Sequence, residues 1–305
     1  MIEAAVREAL VEALGSDIEF DVAMARFTSL RVGGPADAVA TPRDRHRLAR
    51  LLKICARHRL VHRVLGRGFN TIVRDEGVDG VLVQLARFKR IEERPGRTLF
   101  VEAGVSHATV TRFCQERGFS GLEFAAGIPG SLGGWIAMNA GIGEREVVDV
   151  VREVEVMSPT GAHRTHLDRD RLHFAYRGLR GLAPGSVLLS ARFAIGVEEP
   201  AEVKAEIERL LARRAESQPL NVPSCGSVFK NPPKAHAGAL IEAAGLKGKR
   251  IGAAEISTTH ANFIVNRGGA RAADVLALIS HAQATVRGRT GIQLEPEVSI
   301  WGRSR

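Results

Sequence analysis

Apolar residues recur at helical spacing in several parts of the chain, separated by polar residues and glycines. Residues 2–14 have an apolar residue at every fourth position, which predicts an amphipathic helix that the following glycine ends. A second helix is predicted to begin with Thr41 as its N-cap and Pro42 at its first position. A third is predicted to follow Ser106 and to end at Gly118. Further helices are predicted from residue 201 and around residues 237–244 and 272–286.

Short apolar runs bounded by turn residues predict strands between these helices. The predicted strands are residues 38–40, 61–65, 80–85, 98–103, 148–157, 186–195 and 263–265, with a short strand near residue 165. The strand at 61–65 leads into a loop that contains Gly66 and Gly68, and no helical pattern follows this glycine pair. The dinucleotide-binding fingerprint requires such a helix, so a doubly wound NAD domain is disfavoured and we predict an α+β fold.

The segment from Phe124 to Gly143, FAAGIPGSLGGWIAMNAGIG, combines many glycines with interleaved apolar residues. Glycine loses more chain entropy on folding than any other residue, so this density indicates positive φ angles or a backbone that closely approaches a ligand. Flexible linkers are polar as well as glycine-rich, whereas this segment contains Ile128, Leu132 and Trp135. We therefore predict an ordered, half-buried ligand-binding loop, with tight structural turns as the alternative.

The formal net charge of +9 indicates either an anionic small ligand or simply an arginine-rich surface. A nucleic-acid interface is typically a clustered basic patch with interleaved aromatic residues. Here the basic residues are scattered among acidic ones, and aromatic residues are only 5% of the chain. We therefore predict no nucleic-acid partner.

The length of 305 residues and the apolar content of 45% predict a soluble protein with two domains. The chain has no run of about 18 apolar residues, and its N-terminus carries Glu3, Glu8 and Glu12 in place of a basic signal sequence. We therefore expect no membrane association and a cytoplasmic location. The three cysteines are far apart and suit neither a disulfide framework nor a zinc site, so no metal is expected.

Several motifs follow one another along the chain: GRGFN, AAGIPGSLGG, MNAG, AYRG, PSCGSVFKNP, HANFIVN and LEPEV. In this order, over roughly residues 25–302, the chain resembles the UDP-N-acetylenolpyruvoylglucosamine reductase family, in the shorter form without an extra substrate-covering loop. The resemblance implies an FAD-binding region of the vanillyl-alcohol-oxidase type in two parts, followed by a C-terminal α+β substrate-binding domain. With the composition shift near residue 199, we expect an N-terminal helix at 1–24, an FAD-binding domain at 25–199 and a substrate-binding domain at 200–305.

The resemblance also implies non-covalently bound FAD, NADPH as a co-substrate, a UDP-sugar as substrate and no protein partner. The FAD diphosphate is expected to lie against the two glycine-rich loops, where backbone N–H groups can bind anions. The FAD-binding residues that it implies are Gly66, Arg67, Gly68, Phe69, Asn70, Thr71, Ala126, Gly127, Ile128, Pro129, Gly130, Ser131, Gly133 and Asn139. The family usually has serine at the position of Phe69, so one hydroxyl is missing from the expected phosphate site.

The reaction implied is the reduction of UDP-N-acetylglucosamine enolpyruvate to UDP-N-acetylmuramate for peptidoglycan synthesis. NADPH reduces FAD, and flavin N5 then delivers hydride to the enolpyruvyl double bond. Ser227 is implied as the proton donor, and Arg177 and Glu297 are implied to stabilise the enol-like intermediate. An arginine can bind a carboxylate through two parallel hydrogen bonds and offset developing charge. Serine is a weak acid, so Ser227 would need help, for which Lys230 and Lys247 are candidates.

Contacts with the UDP-sugar are implied for Tyr176, Lys230, Asn231, His260 and Asn262. Ser217 stands where the family often has a basic residue, so one diphosphate contact is in doubt and could fall to Arg213 or Arg214. Cys225 is not expected to be a nucleophile, because no G-x-C-x-G elbow surrounds it. Two alternatives remain: a flavin oxidoreductase of the same scaffold acting on an alcohol or hydroxy acid, and a non-catalytic basic binding protein.

Overall fold

The computed structural model of the protein describes residues 1–143 and 145–303. Its α-helices are α1 (Ala4–Leu14), α2 (Arg45–Arg57), α3 (His107–Arg117), α4 (Leu132–Ala137), α5 (Pro200–Ser217), α6 (Ala237–Ala243) and α7 (Ala272–Thr290). Its strands are β1 (Ile18–Ala23), β2 (Pro35–Ala40), β3 (His62–Val64), β4 (Thr71–Val73), β5 (Val78–Val83), β6 (Ile91–Arg94), β7 (Thr98–Glu102), β8 (Phe119–Ser120), β9 (Gly141–Ile142), β10 (Arg145–Glu146), β11 (Val151–Met157), β12 (Arg164–Asp168), β13 (His173–Ala175), β14 (Gly178–Arg180), β15 (Val187–Ala194), β16 (Gly196–Val197), β17 (Ser224–Ser227), β18 (Arg250–Ile251), β19 (Ala254–Ile256), β20 (Phe263–Asn266) and β21 (Ser299–Trp301). None of the helices in these two ranges is long and apolar enough to cross a membrane.

The chain divides into two compact units, each assembled from three segments. Unit 1 consists of Met1–Phe20, Ala38–Gly66 and Gly80–Arg214, and unit 2 consists of Asp21–Asp37, Arg67–Asp79 and Ala215–Arg305. In this division most of α5 belongs to unit 1, whereas the sequence predicts a domain boundary before that helix, near residue 199. The predicted domain limits stay a prediction, because compact units are defined by contacts and not by function.

The ends of two helices test the capping predictions. The Ser106 side chain accepts a hydrogen bond from the Thr109 backbone N–H at 3.2 Å, and Gly118 ends α3 with a φ of 66°. The prediction that Thr41 caps the second helix is wrong. The Asp44 side chain accepts a hydrogen bond from the Arg47 backbone N–H at 2.8 Å, so α2 begins at Arg45. Asp44 is the N-cap because its side chain reaches the N–H of Arg47, the third helical residue, which has no partner within the helix.

Two hydrophobic cores of unit 1 each form between helices and a sheet. In the first, α1 and α2 pack on the sheet with strand order β1-β2-β5-β3 through buried aliphatic residues such as Leu10, Leu51 and Val81. In the second, α3 and α4 pack on the antiparallel sheet with order β12-β11-β15-β7-β6, where Trp135 and Phe193 are buried. Each helix therefore covers one face of a sheet with its apolar side, as an α+β fold requires.

A buried cluster of charged residues lies within unit 1. Glu155 is 5% exposed and accepts hydrogen bonds from Arg45 at 2.7 Å, Arg164 at 3.0 Å and Ser190 at 2.9 Å. Arg45 also donates to the buried Glu102 at 2.7 Å. Burial by itself would raise the pKa of Glu155, but the hydrogen bonds from Arg45 and Ser190 outweigh it and lower this pKa to about 2. Both carboxylates therefore depend on Arg45 for their stability as buried anions.

Unit 2 is organised around the sheet with order β17-β20-β19-β18 and the long helix α7. Its two short N-terminal segments belong to the same core, because Leu30 and Ile72 are fully buried there. Strand β4 pairs in parallel with the C-terminal strand β21. In addition, the Asp75 carboxylate accepts hydrogen bonds from the first backbone N–H groups of α7, at 3.0 and 2.9 Å. Residues 67–79 are thus fixed to the C-terminal part of the chain.

Candidate functional site

The glycine-rich segment 124–143 is ordered and largely buried in unit 1, as the sequence predicts, but it also contains the short helix α4. Trp135 is 2% exposed and donates from its indole N–H to the Ile128 carbonyl at 3.2 Å, which closes the loop between these residues. The backbone N–H groups of Leu132 and Gly133 donate to the carbonyls of Val105 and Ala103. The loop therefore has a fixed conformation that a linker would lack.

Gly130 is a position in this loop where the backbone has room for a closely approaching ligand. Its φ is 116°, a conformation that L-residues rarely adopt, and no atom lies within 4 Å of the place that a Cβ would occupy. At Gly66 the situation differs, because a Cβ would lie 3.1 Å from the Ser131 hydroxyl oxygen. Within unit 1 the end of the first glycine loop therefore lies against the second loop. Open backbone and an adjacent hydroxyl are features that fit the diphosphate of a dinucleotide such as FAD.

The remainder of the first glycine loop, Arg67–Thr71, lies in unit 2, where Gly68 has a structural role. Its φ is 69°, and a Cβ there would collide with the carbonyl oxygen of Phe27. The Ser29 backbone N–H donates to the Gly68 carbonyl at 3.1 Å. The Ser29 hydroxyl lies 2.9 Å from the same carbonyl and 2.7 Å from that of Ser224, and can donate its proton to either. The sequence does not predict the contact between Ser29 and Ser224, because the two residues are 195 positions apart in the chain.

Within unit 2 the two motifs that carry Ser227 and Glu297 run side by side. The Glu297 backbone N–H donates to the Val228 carbonyl at 2.8 Å, and the Lys230 backbone N–H donates to the Glu295 carbonyl at 2.9 Å. Lys230 and Glu295 also form an ion pair through their side chains. The structure thus brings the predicted proton donor and the predicted acid onto adjacent backbone segments. The Lys230 ammonium is therefore paired with Glu295, and the role of Glu297 stays a prediction.

Asn262 fixes the same segment from the other side. Its side-chain amide accepts a hydrogen bond from the Phe229 backbone N–H at 2.9 Å and donates to the Phe229 carbonyl at 2.8 Å. Asn262 is 4% exposed, so these buried backbone groups depend on it for their hydrogen bonds. The structure therefore assigns the Asn262 side chain a positioning role for residues 228–229, and its contact with a UDP-sugar stays a prediction.

Two other predicted substrate contacts also have partners within unit 2. The Asn231 side chain accepts a hydrogen bond from the Ala237 backbone N–H at 3.0 Å, at the start of α6. The Nδ1 atom of His260 lies 3.2 Å from the Asn262 backbone N–H, so it accepts and the ring proton is on Nε2. Burial and, to a smaller extent, the positive charge of Lys247 lower the pKa of His260. A neutral His260 therefore has Nε2–H available as a hydrogen-bond donor.

A pocket of about 380 Å³ lies in unit 2, between residues 218–222 and residues 257–259. It is lined by Ala215, Gln218–Val222, Ser257–Thr259, Val265 and Arg267. The predicted site residues of unit 2 are absent from this lining, although His260 follows it directly in the chain.

Arg177 lies in unit 1, in the two-residue turn between β13 and β14. Its φ is 56°, an uncommon conformation for a residue with a side chain. Its guanidinium carbon lies 4.8 Å from the centre of the Tyr176 ring, and its Nη1 atom lies 3.9 Å from the Glu146 carboxylate. Of the three predicted catalytic residues, Arg177 therefore belongs to unit 1, whereas Ser227 and Glu297 belong to unit 2.

Arg214 is one of the two arginines that could replace the basic residue missing at position 217. Arg214 lies against the glycine-rich segment of unit 1, with its Nη1 atom 3.5 Å from the Ala126 carbonyl and its Cδ close to Gly127. Burial lowers the pKa of Arg214 to about 10, so it remains a cation at neutral pH. The structure thus places this cation beside the predicted FAD-binding loop.

The three cysteines are buried, and burial is the main cause that raises the pKa of each thiol to about 12. Since the thiolate is the reactive form, we expect no alkylation of Cys55, Cys114 or Cys225 by iodoacetamide at pH 8 in the folded protein. Mass spectrometry should find all three modified after unfolding in guanidinium chloride. A Ser16→Cys variant, with an exposed thiol, is the positive control and should react before unfolding. Rapid modification of Cys225 in the folded protein would contradict this prediction.

Two protein-family models match the chain. One, described as an FAD binding domain, matches residues 36–166. The other, described as the C-terminal domain of UDP-N-acetylenolpyruvoylglucosamine reductase, matches residues 218–301. Curated relatives with that enzyme name match nearly the whole length. The protein of Geobacter metallireducens is 43% identical over 95% of this chain and 95% of its own, and that of Geotalea uraniireducens is 41% identical over 97% and 98%.

Solved structures agree with these matches. The crystal structure of UDP-N-acetylenolpyruvylglucosamine reductase from Thermus caldophilus has a TM-score of 0.80 and 36% identity, and covers 92% of this chain and 97% of that one. A single-residue variant of berberine bridge enzyme, at 15% identity and a TM-score of 0.50, is similar in fold alone over 64% of this chain and 44% of its own. The predicted fold class is therefore confirmed: an α+β chain with a two-part FAD-binding region of the vanillyl-alcohol-oxidase type and a C-terminal α+β domain.

Proposed function

The chain belongs to the UDP-N-acetylenolpyruvoylglucosamine reductase family, and on that premise we propose a role for each of its site residues. The protein is an FAD-dependent oxidoreductase that reduces UDP-N-acetylglucosamine enolpyruvate, with NADPH as co-substrate, in peptidoglycan synthesis. Family membership decides against the two alternatives raised by the sequence, an alcohol or hydroxy-acid oxidoreductase and a non-catalytic binding protein.

Bound FAD supplies the hydride for this reaction, which it receives from NADPH. We assign its diphosphate to the loops at Gly66 and at residues 126–133, but not to Asn139, whose buried side-chain amide is hydrogen-bonded within the protein. The open backbone at Gly130 and the Ser131 hydroxyl beside Gly66 support this assignment. The missing hydroxyl at Phe69 is compatible with this assignment of the diphosphate, because Gly130 and Ser131 offer hydrogen-bond donors in unit 1.

Ser227 is assigned as the proton donor to the carbon next to the one that accepts hydride. Arg177 binds the substrate carboxylate and offsets the negative charge that develops on it, and Glu297 shares a proton with the same group. The observation that best supports this division is the hydrogen bond from the Glu297 backbone to Val228, the neighbour of Ser227. This hydrogen bond fixes the backbone of Glu297 next to that of Ser227. Proton transfer to the substrate requires such fixed positions of the reacting groups.

Tyr176, Lys230, Asn231, His260 and Asn262 are assigned to binding of the UDP-sugar. His260 is the best supported of them, because its Nε2–H is free of the hydrogen bond that occupies Nδ1. We also propose that the enzyme works in the cytoplasm, where free thiols such as its three cysteines stay reduced. No protein partner is needed for the reaction.

The visible spectrum of the purified protein tests the function directly. We expect the absorption of an oxidised flavin, or its appearance when FAD is added, followed by bleaching with NADPH. Adding the enolpyruvyl sugar should restore the oxidised spectrum, whereas simple alcohols and hydroxy acids should not. A colourless protein that takes up no FAD would contradict the assignment, as would a reduced flavin that the enolpyruvyl sugar fails to reoxidise.

A further inference from the structure

The turn that carries Arg177 is held by two residues outside its own hairpin, Asn139 and Glu146. One Nδ2 proton of Asn139 is donated to the Glu146 carboxylate at 2.6 Å and the other to the Ala175 carbonyl at 3.3 Å. Ala175 is the last residue of β13 before the turn. A single amide therefore links the hairpin of Arg177 to the carboxylate that faces it.

The orientation of this amide is determined by its surroundings. The Asn139 side-chain oxygen accepts a hydrogen bond from the Val148 backbone N–H at 3.0 Å, so all of its polar groups have partners. A flipped amide would point its oxygen at two acceptors and its N–H₂ group at a donor. Asn139 is 1% exposed and has a φ of 42°, which asparagine tolerates better than most residues.

Glu146 is held in turn by its own short hairpin, β9–β10. It is paired with Gly141, at which a Cβ would collide with the Arg145 carbonyl oxygen and lie 2.7 Å from the Glu146 Cγ, so this position has room only for glycine. The Glu146 backbone N–H donates to Asp149 at 2.8 Å. With Oε2 bound to Asn139, the other oxygen, Oε1, is the one that lies 3.9 Å from Nη1 of Arg177.

We propose that Asn139 and Glu146 are positioning residues that orient the Arg177 guanidinium for the carboxylate of the enolpyruvyl substrate. This inference rests on the proposed role of Arg177. The Tyr176 ring on one side and the Glu146 carboxylate on another restrict the long arginine side chain before substrate binds. The contact at 3.9 Å is longer than a hydrogen bond, so Glu146 acts on the guanidinium through charge attraction and does not share a proton with it.

The left-handed backbone conformation of Arg177 indicates that neighbouring residues restrain this turn. A non-glycine residue in this conformation is strained and persists only where its surroundings hold it. Asn139 supplies such a restraint through Ala175, immediately before the turn. The geometry thus explains why an arginine occupies a turn position that asparagine or glycine would adopt more easily.

The test measures the two half-reactions separately by stopped-flow absorbance of the flavin in the holoenzyme. In Glu146→Gln the side chain keeps its size and an oxygen for Asn139 but loses its charge. We expect reoxidation of the reduced enzyme by the enolpyruvyl sugar to slow about 10-fold, a typical coupling between neighbouring charged groups. Flavin reduction by NADPH and the thermal unfolding midpoint should stay unchanged. Glu153→Gln, which removes a carboxylate paired with Arg192 in the same unit, is the matched control and should leave both half-reactions unchanged.

A double-mutant cycle distinguishes positioning from a general structural effect. In an Arg177→Ala background, Glu146→Gln should cause no further slowing, because its target is gone. An equal slowing in both backgrounds, or an equal slowing of both half-reactions, would overturn the inference while leaving the role of Arg177 intact. If Arg177→Ala itself does not slow substrate reduction, the proposed role of Arg177 fails and this inference fails with it. Should Glu146→Gln be unstable, Glu146→Asp keeps the charge and shortens the side chain, and the same cycle applies.

Discussion

Replacement of Ser227 by alanine should slow reduction of the enolpyruvyl substrate by about 10²- to 10⁴-fold, which is the usual contribution of a positioned general acid. Hydride transfer to one carbon leaves its neighbour in need of a proton, and without Ser227 that proton must come from water. Reduction of the flavin by NADPH involves no such proton and should proceed at the wild-type rate. Stopped-flow measurement of each half-reaction separates the two effects.

Ser224→Ala is the matched control for this substitution, because it removes a hydroxyl from the same strand, β17. The backbone carbonyl of Ser224, which accepts the Ser29 hydroxyl, is unaffected by the change. We expect both half-reactions of the control to be normal. A Ser227→Ala enzyme that reduces substrate at the wild-type rate would refute the assignment of Ser227 as the proton donor.

Arg45→Met should lower the free energy of unfolding by about 3 to 5 kcal/mol, the usual result when one partner of a buried ion pair is removed. Arg45 donates to Glu102 and Glu155, which are 6% and 5% exposed, so its loss leaves two buried carboxylates without their main counter-charge. Methionine retains much of the side-chain volume, so packing changes little. Urea unfolding at pH 7 measures the difference.

Arg209→Met is the control for loss of an arginine as such. Arg209 pairs with Glu206 at 2.7 Å on the exposed surface of α5, where solvent screening leaves ion pairs with little effect on stability. We expect its unfolding curve to overlie that of the wild type closely. A similar, small change in both variants would show that the buried cluster does not stabilise unit 1.

The pH dependence of stability should report on the same cluster. The folded pKa of Glu155 lies at about 2, below the ordinary value of 4.5, so the folded protein binds this proton less readily than the unfolded chain. Its stabilisation, about 3 kcal/mol, is therefore complete above pH 4.5 and is lost as the pH falls towards 2. In Glu155→Gln this part of the acid dependence should disappear.

Local patterns along the chain predict the features that depend on neighbouring residues. The cap at Ser106 and the end at Gly118 follow from hydrogen bonds that span three or four residues, and the structure has both. The error at Thr41 has the same origin, since Asp44 lies only three residues further and satisfies the same rule. The glycine-rich segment is ordered as predicted. The sequence does not predict α4 within it, because two of the six helical residues are glycines, which have low helix propensity.

The sequence by itself determined the family of this protein, and with it FAD, NADPH and the UDP-sugar, because motif residues and their order are properties of the chain alone. Only the tertiary structure decided which residues support these motifs. Ser29 bridges Gly68 and Ser224, and Asn139 joins Glu146 to the turn of Arg177. Such contacts depend on the path of the backbone between distant segments. Periodicity and propensity describe a few adjacent residues and carry no information about that path.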